Sequence, residues 1–528
     1  MADQDNQTLA VTIPEDELPI REAHPNGSHE GAAESDAPAI ASAANCFRTY
    51  WARIAGLSAV LLIPCFWHRH IEAGDLASHT YNAWLAQLIE RGQAPGLWLA
   101  RQWDNVLFDI LLARLGNLIG LNLAEKIAVS IAVLIFFWGA FALIATMSRR
   151  LPWFLVPCLA IFTYGWTLQN GFLNYYLSLG LAFFGMALAQ GGRRWQIAML
   201  LPLVPLTWMA HPLGVVLMIG GSAYWLLAKR LGSRGQWTLL GAAGLSVGFI
   251  SLYLSSHYEV VWSAGPLYNY PYNFSGVDQL VLYGTRYAIL SALFLAFILA
   301  CLASDIVLRL KTRAPLATMK IPLQIYAISL LSAILLPNVV FFPHHDIPIS
   351  LLTDRLTLVT AILGCCLLGA MTPRKWHLAG FAGFAAVFFL FLYQDTGKVN
   401  RMEAQAEKYE RVLPPGQRII ATIWPFTGSR IFIHHIVDRS CAGYCFSYGN
   451  YEPSSQYFRV RANPGNRIVT TSSESADAIE SGDYVVQPGD LPIFQIYQCN
   501  VDMTVLCMRE LASGERNGSV GLQPIHKK

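Results

Sequence analysis

Apolar stretches, about eleven of them and most near the ~20 residues a helix needs to cross a hydrocarbon layer, recur between residues 47 and 394. After Phe47 to Trp67 they fall at 124–146, 152–168, 172–190, 197–210, 213–228, 238–256, 286–308, 321–342, 354–371 and 377–394. A water-soluble fold has no way to cover so many. With 54% of its 528 residues hydrophobic and 13% charged, the chain reads as a polytopic α-helical membrane protein of about 11 transmembrane helices. Only His211 and Pro212 separate 197–210 from 213–228, so these are two spans, one kinked helix or a re-entrant pair. A formal net charge of +3 gives no nucleic-acid footprint.

Lys and Arg in short loops stay on the cytoplasmic side. One set of connectors carries Arg149, Arg150, Arg193, Arg194, Lys229, Arg230, Arg234, Arg309, Lys311, Arg313, Lys320, Arg374 and Lys375. The alternate connectors 169–171, 211–212, 257–285 and 343–353 carry none. This alternation predicts a cytoplasmic N-terminus and a tail from about 395 on the opposite face. Residues 1–46 are polar and rich in Ala, Ser, Asn and Pro, as in a disordered cytoplasmic tail; 47–394 form the membrane domain; and 395–528 read as a small α/β domain outside the cytoplasm. Four of the ten cysteines lie in that tail. Cys441, Cys445, Cys499 and Cys507 allow three pairings, of which local Cys441–Cys445 and Cys499–Cys507 bridges are favoured.

The loop from Trp67 to Leu123 is far longer than a hairpin needs. Asp75, His79 and Asn82 share one stripe of a predicted helix ended by Gly92 and Pro95, and Tyr81, Trp84, Leu85 and Leu88 share the opposite stripe. The aromatic stripe suits a helix lying in the headgroup region. A second loop helix is expected over Asp104 to Leu118, so that loop helices span about 75–118.

Glu72-Ala-Gly-Asp75 after the first span, His79 four residues on and the Gly92 to Trp98 break resemble the GT-C class of integral membrane glycosyltransferases. So do the helix count, orientation and external tail. The resemblance runs from Phe47 onward through short motifs. It implies transfer of a sugar from a polyprenyl-phosphate donor in the membrane lipid to a glycan, lipid or protein acceptor, with Asp75 as the catalytic carboxylate. An acceptor hydroxyl that displaces a lipid phosphate from an anomeric carbon needs a base for its proton. The plainer reading of Asp75 is an N-cap. Glu72, His68, His70, His79, Asp104 and Asp109 share the loop and either line the same cavity, with Glu72, His79 and Asp104 assigned to substrate binding, or hold a divalent cation, although no spacing among them is distinctive.

The donor phosphate calls for an arginine near the external boundary. Arg355, after Asp354 at the start of a span, looks like the late-helix arginine of GT-C enzymes; Arg286 is the second candidate and reads better as a snorkelling residue. For Arg355 the competing reading is neutralisation by Asp354. Asn174, His211, His257 and His345 are further external polar groups assigned to substrate binding, with Met209-Ala-His211-Pro212 resembling a His-Pro junction of some bacterial members. Tyr258, Trp262, Tyr268, Tyr270 and Tyr272 form a sugar platform or, more simply, an interfacial aromatic belt.

Strands are expected at Arg418 to Trp424, Tyr457 to Arg461, Asp483 to Gln487 and Ile493 to Met508, with a helix over Ala476 to Ser481. No Walker loop, dinucleotide fingerprint, zinc-protease motif or nucleophile elbow occurs in the sequence. Two other readings fit the same topology: a transporter or flippase for a lipid-linked or polysaccharide precursor, and a non-catalytic assembly scaffold. A carboxylate and an arginine converging on one site separate the enzyme from both.

Overall fold

The longest uninterrupted apolar run shows how the architecture arises. Leu121–Ser148 carries no charge after Lys126, reaches a mean hydropathy of 2.6 and forms one 28-residue helix, two-thirds buried by its neighbours. It packs lengthwise on Leu173–Gly191, where Phe136 stacks on Tyr176 at 4.4 Å. The computed structural model describes residues 42–263, 275–313, 317–343 and 348–518. The expected disordered tail, almost entirely, and His344, His345, Asp346, Tyr268, Tyr270 and Tyr272 lie outside the described residues.

The chain is mostly helical, and among the described residues six helices are long and apolar enough to cross a membrane. They are Leu121–Ser148, Pro212–Arg230, Ser233–His257, Thr285–Thr312, Leu352–Gly369 and Lys375–Glu410, with the shorter apolar Met319–Leu335 beside them. Three of the four remaining stretches of the expected eleven have identifiable reasons for falling short. Residues 152–168 break into Trp153–Leu155, Val156–Thr163 and Trp166–Gln169 around Pro157 and Gly165. Leu173–Gly191 carries Asn174, Tyr175, Tyr176, Ser178 and Gln190, which lower its hydropathy. Arg194–Ala210 has 17 residues and two internal prolines, Pro202 and Pro205. His211, in an extended conformation, separates this helix from Pro212–Arg230, so 197–228 is two helices.

The long helix Lys375–Glu410 runs out of its apolar half into the polar tail. There a four-stranded sheet is ordered Phe446–Ser447, Arg418–Thr422, Ile493–Gln498, Leu506–Leu511, parallel across its first three strands and antiparallel at the last. The expected strands at 418–424 and 493–508 are present, the latter as a hairpin, while 483–487 contributes a single bridge from Val485 to Arg516. Cys499 and Cys507 lie at disulfide distance across the hairpin, as do Cys441 and Cys445. A separate two-stranded ribbon pairs Leu97–Leu99 of the first loop with Val460–Ala462 of the tail.

The first loop helix, Leu76–Glu90, does not lie in a headgroup layer. Tyr81 and Leu85 are fully buried, Trp84 stacks on Phe446 at 5.8 Å, and the Tyr81 hydroxyl accepts the Ser447 N–H at 2.9 Å. Its opposite stripe is covered as well, with Asn82 bonded to Asn450. The amphipathic pattern is real, but the partner of its aromatic face is the tail's parallel sheet edge rather than lipid.

Candidate active site

Two glycines fix the position of Asp75. Gly74 has φ +37° and Gly171 φ +79°. A Cβ on Gly74 would lie 2.5 Å from the Asn170 carbonyl oxygen, and one on Gly171 would lie 2.5 Å from the Ala73 carbonyl oxygen and the Asp75 nitrogen. Neither turn admits a side chain. The contact lets the Asp75 N–H donate to the Asn170 carbonyl at 3.1 Å. Asn170 in turn accepts the Phe432 N–H at 3.0 Å and donates to the Arg430 carbonyl at 3.2 Å. Asp75 therefore sits where the first loop, the broken 153–170 segment and the tail meet. Although it occupies the N-cap position, its carboxylate makes no capping bond. Its side chain keeps 19% of its exposure. Burial raises its proton affinity, opposed by His435, His79 and Arg355.

The tail supplies an imidazole pair. His435 Nε2 lies 3.7 Å from an Asp75 carboxylate oxygen, and its Nδ1 is 2.8 Å from Asp438, whose other oxygen accepts the Ser447 hydroxyl. His434 Nε2 faces His435 Nε2 at 2.9 Å, and His434 Nδ1 lies 3.3 Å from Glu480. Burial alone would lower His435, but the bond to Asp438 holds it up at about 9. Burial pushes His434 well below its ordinary value, and the neighbouring His435 adds to this. The Tyr451 ring rests on His435 at 5.2 Å.

His79 joins the same region through Asp109 rather than Asp104. Its Nδ1 lies 2.7 Å from Asp109 and 3.6 Å from Glu452. Burial works against its charge, but Asp109 raises it to about 10. Asn174 holds this pair in place, donating to Asp109 at 2.8 Å and to the Asn105 carbonyl at 3.1 Å while accepting the Phe108 N–H at 2.8 Å. Asp104 lies in the bend ahead of the second loop helix, Leu107–Ile119.

Arg355 enters from the helix Leu352–Gly369. Its guanidinium lies over Phe172 at 4.3 Å and near Tyr175 at 5.9 Å, and its Nε is buried without a hydrogen-bond partner. Asp354 does not neutralise it, pairing with Arg430 at 2.7 Å instead. Phe172, beneath the guanidinium, follows Gly171, which packs against the Asp75 backbone, so Arg355 reaches toward the turn that carries Asp75. His211 packs edge-on to Tyr175 at 5.3 Å and accepts the Leu213 N–H at 3.2 Å. Burial and the Arg355 charge push it down to about 3, so it is a neutral imidazole.

Other candidates lie elsewhere. Glu72 points into a buried ion cluster around Arg439, which it meets at 3.2 Å alongside Glu125 at 3.1 Å and Glu403 at 2.5 Å. It also accepts from Asn400 at 2.6 Å. Two small clefts border Glu72, and neither is lined by Asp75 or Arg355. His257, exposed at a helix end, stacks on Tyr253 at 4.3 Å. Arg286 pairs with Asp395 and lies over Phe391 at 4.5 Å. Glu410, Cys441 and Cys445 also present three metal-binding atoms within 4.8 Å of one another, but the two sulfurs are at disulfide distance.

His434, His435, Asp438, Tyr451 and Glu452 were not among the residues expected at the site. The signal for them is the spacing in His434-His435-Ile-Val-Asp438, an i, i+3 pair on one helical face. It is easily passed over in a tail expected only to shape acceptor access. No protein-family profile, curated protein or solved structure matches this chain.

Proposed function

We propose that the chain is an inverting glycosyltransferase of the bacterial inner membrane, with its N-terminus in the cytoplasm and the region from about 395 outside it. A polyprenyl-phosphate-linked sugar approaches from the lipid, Arg355 takes the donor phosphate, and Asp75 takes the proton of an acceptor hydroxyl on a glycan, lipid or protein. The hydroxyl oxygen forms the new bond to the anomeric carbon as the bond to phosphate breaks. The electron pair leaves with the phosphate, whose charge is met by the guanidinium.

The observation that carries this reading is that Arg355 lies over Phe172 at 4.3 Å, next to Gly171, against which the turn of Asp75 packs, so that two residues distant in sequence meet at one polar cluster. Each has the form the chemistry needs. Asp75 is uncapped, partly exposed and raised in proton affinity, which suits a base. Arg355 is stacked rather than paired, leaving its donors to an anion. A scaffold has no need to hold an unneutralised arginine beside an uncapped carboxylate.

The test is turnover of a panel of polyprenyl-phosphate sugars by purified protein, wild type against Asp75→Asn. Loss of roughly 10²–10⁴-fold is expected when a positioned base is removed, with inverted anomeric configuration in the product. Equal turnover by the two proteins would remove Asp75 from the mechanism. The orientation is checked with Gln93→Cys, an exposed position after the first loop helix. Labelling from the cytosolic face would sink the proposal.

A further inference from the structure

Both ring nitrogens of His435 have partners. Nδ1 lies 2.8 Å from Asp438, and Nε2 lies 2.9 Å from Nε2 of His434. Asp438 is fixed in turn, since its other oxygen accepts the Ser447 hydroxyl, and the Tyr451 ring rests against the imidazole at 5.2 Å. A carboxylate on Nδ1 takes the Nδ1–H and sets the orientation of the ring. His434, which burial and its neighbour push well below its ordinary value, is neutral, so its Nε2 can accept a second N–H. His435 thus has an acceptor for each of the two protons that only an imidazolium carries.

The charge placed in this way faces Asp75. Among the described residues, His435 is the one basic side chain that pairs with the Asp75 carboxylate, its Nε2 at 3.7 Å. The other charges of the site have partners of their own. His79 meets Asp109 at 2.7 Å and Glu452 at 3.6 Å, Arg355 lies over Phe172 at 4.3 Å, and Glu480 is 3.3 Å from His434. Asp438, the like charge nearest to Asp75 on this side, spends both oxygens on His435 and Ser447.

We propose that His435 is a positioning residue for the transfer reaction: its imidazolium, oriented by Asp438 and bonded to His434, holds the Asp75 carboxylate deprotonated and ready for the proton of the acceptor hydroxyl. This role rests on the transferase reading and adds to it what keeps the base ionised. The need for such a partner is physical. Burial raises the proton affinity of Asp75, and a carboxyl that is already protonated cannot act as a base. His435 is the strongest of the groups that oppose the rise. Burial works against the charge on His435 itself, but Asp438 holds its value up at about 9, so it stays charged through the acid and neutral range in which a carboxyl titrates. The first loop supplies the base, and the tail supplies the charge that keeps it one.

The test is the pH profile of kcat/KM for polyprenyl-phosphate sugar transfer by the full chain in detergent, wild type against His435→Gln and Asp438→Asn. This ratio reports the ionisations of the free enzyme. Loss of an opposite charge at such a distance should move the acid limb of His435→Gln upward by roughly 1–3 pH units, with turnover recovering as pH rises through the new limb. Asp438→Asn, nearly isosteric, lets burial discharge His435 and should move the limb in the same direction. Were Asp438 acting on Asp75 directly, as one negative charge on another, its removal would move the limb down. Turnover lowered equally at every pH in folded His435→Gln, or a limb unmoved or lowered in Asp438→Asn, overturns the role of His435; thermal unfolding shows which variants have folded. A second readout is independent of turnover. The Asp75 carboxyl stretch in infrared difference spectra, identified by its absence in Asp75→Asn, is titrated in wild type and in His435→Gln. A midpoint raised in the variant supports the pairing even in a chain without transfer activity. An unmoved midpoint removes the pairing and leaves Asp75-dependent transfer, and with it the transferase, intact.

Discussion

His435 Nε2 lies 3.7 Å from the carboxylate of Asp75, so a residue of the tail completes a site begun in the first loop. The backbone makes the same link, through the Asp75–Asn170–Phe432 chain of hydrogen bonds and through the ribbon between Leu97–Leu99 and Val460–Ala462. The tail thus supplies side chains to the candidate site as well as packing beside it. Loss of the tail is expected to disorder the position of Asp75 rather than merely to open the site.

The turn that carries Asp75 should be intolerant of even one carbon. Gly74→Ala meets both a left-handed φ and a backbone oxygen at 2.5 Å. Overpacking of this kind typically costs about 1–3 kcal/mol, to which backbone strain adds roughly 1 kcal/mol. Gly92→Ala is the control, since its φ is +70° but nothing lies within 4 Å, and it should show the strain alone. Thermal midpoints of the two variants measure the difference. Equal shifts would mean that the Gly74–Asn170 contact is loose.

The Arg439 cluster separates structural acids from chemical ones. Arg439→Met strands Glu72, Glu125 and Glu403 in the interior, and breaking such a group typically costs about 3–5 kcal/mol. Glu72→Gln should behave differently. Burial, reinforced by Glu403, holds the Glu72 carboxyl well above its ordinary range, so its charged form opposes folding at neutral pH. Gln keeps an oxygen for Asn400 and removes the charge. A thermal midpoint unchanged or raised, with transfer activity retained, is the expected result; activity lost in a stable Glu72→Gln protein would return Glu72 to the substrate site.

Much of the fold was legible because hydrophobic periodicity is local. Leu121–Ser148 and Thr285–Thr312 follow from composition alone, and Gly92 and Pro95 end the first loop helix close to where it stops, at Glu90. What a face packs against is not local. The stripe of Tyr81, Trp84 and Leu85 is the same whether lipid or the Phe446 strand covers it. The single span expected at 152–168 is broken into short helices for a related reason, since Gly165 and Pro157 interrupt a run that average hydropathy treats as continuous. At the site, Asp75 could be picked out by its place in the long loop after the first span, and Arg355 by its place at the start of a later one. Arg439 and the His434–His435 pair sit in a polar tail of ordinary composition, and only the three-dimensional meeting with Asp75 and Glu72 distinguishes them.

Charge on His79 should make stability depend on pH in the alkaline range. Asp109 lifts this imidazole from its ordinary 6.5 to about 10 in the folded chain. A group whose folded value is raised contributes in full below the unfolded value and loses its contribution as pH rises through the folded one. The wild-type thermal midpoint should therefore fall between neutral pH and about 10, more steeply than that of His79→Gln. Asp109→Asn should remove the same slope and lower stability by about 3 kcal/mol, the low end for breaking a buried pair, because Asp109 keeps 19% of its exposure. Parallel pH profiles for wild type and His79→Gln would show that His79 is neutral in the folded chain.

Arg355 offers the sharpest separation of function from stability. Its guanidinium is stacked on Phe172 and its buried Nε has no partner, an arrangement that opposes folding because a desolvated donor is left unsatisfied, at about 1–3 kcal/mol. Arg355→Met keeps the volume on Phe172 and removes the donors. Its thermal midpoint should therefore rise above that of wild type, while polyprenyl phosphate, which should stabilise wild type by occupying the guanidinium, should no longer shift it. Arg355→Lys keeps the charge but loses both the flat stack and the bidentate fork, and should fall between the two in ligand response without the gain in stability. If Arg355→Met unfolds below wild type and polyprenyl phosphate still raises its midpoint, Arg355 is a packing residue and the donor phosphate binds elsewhere.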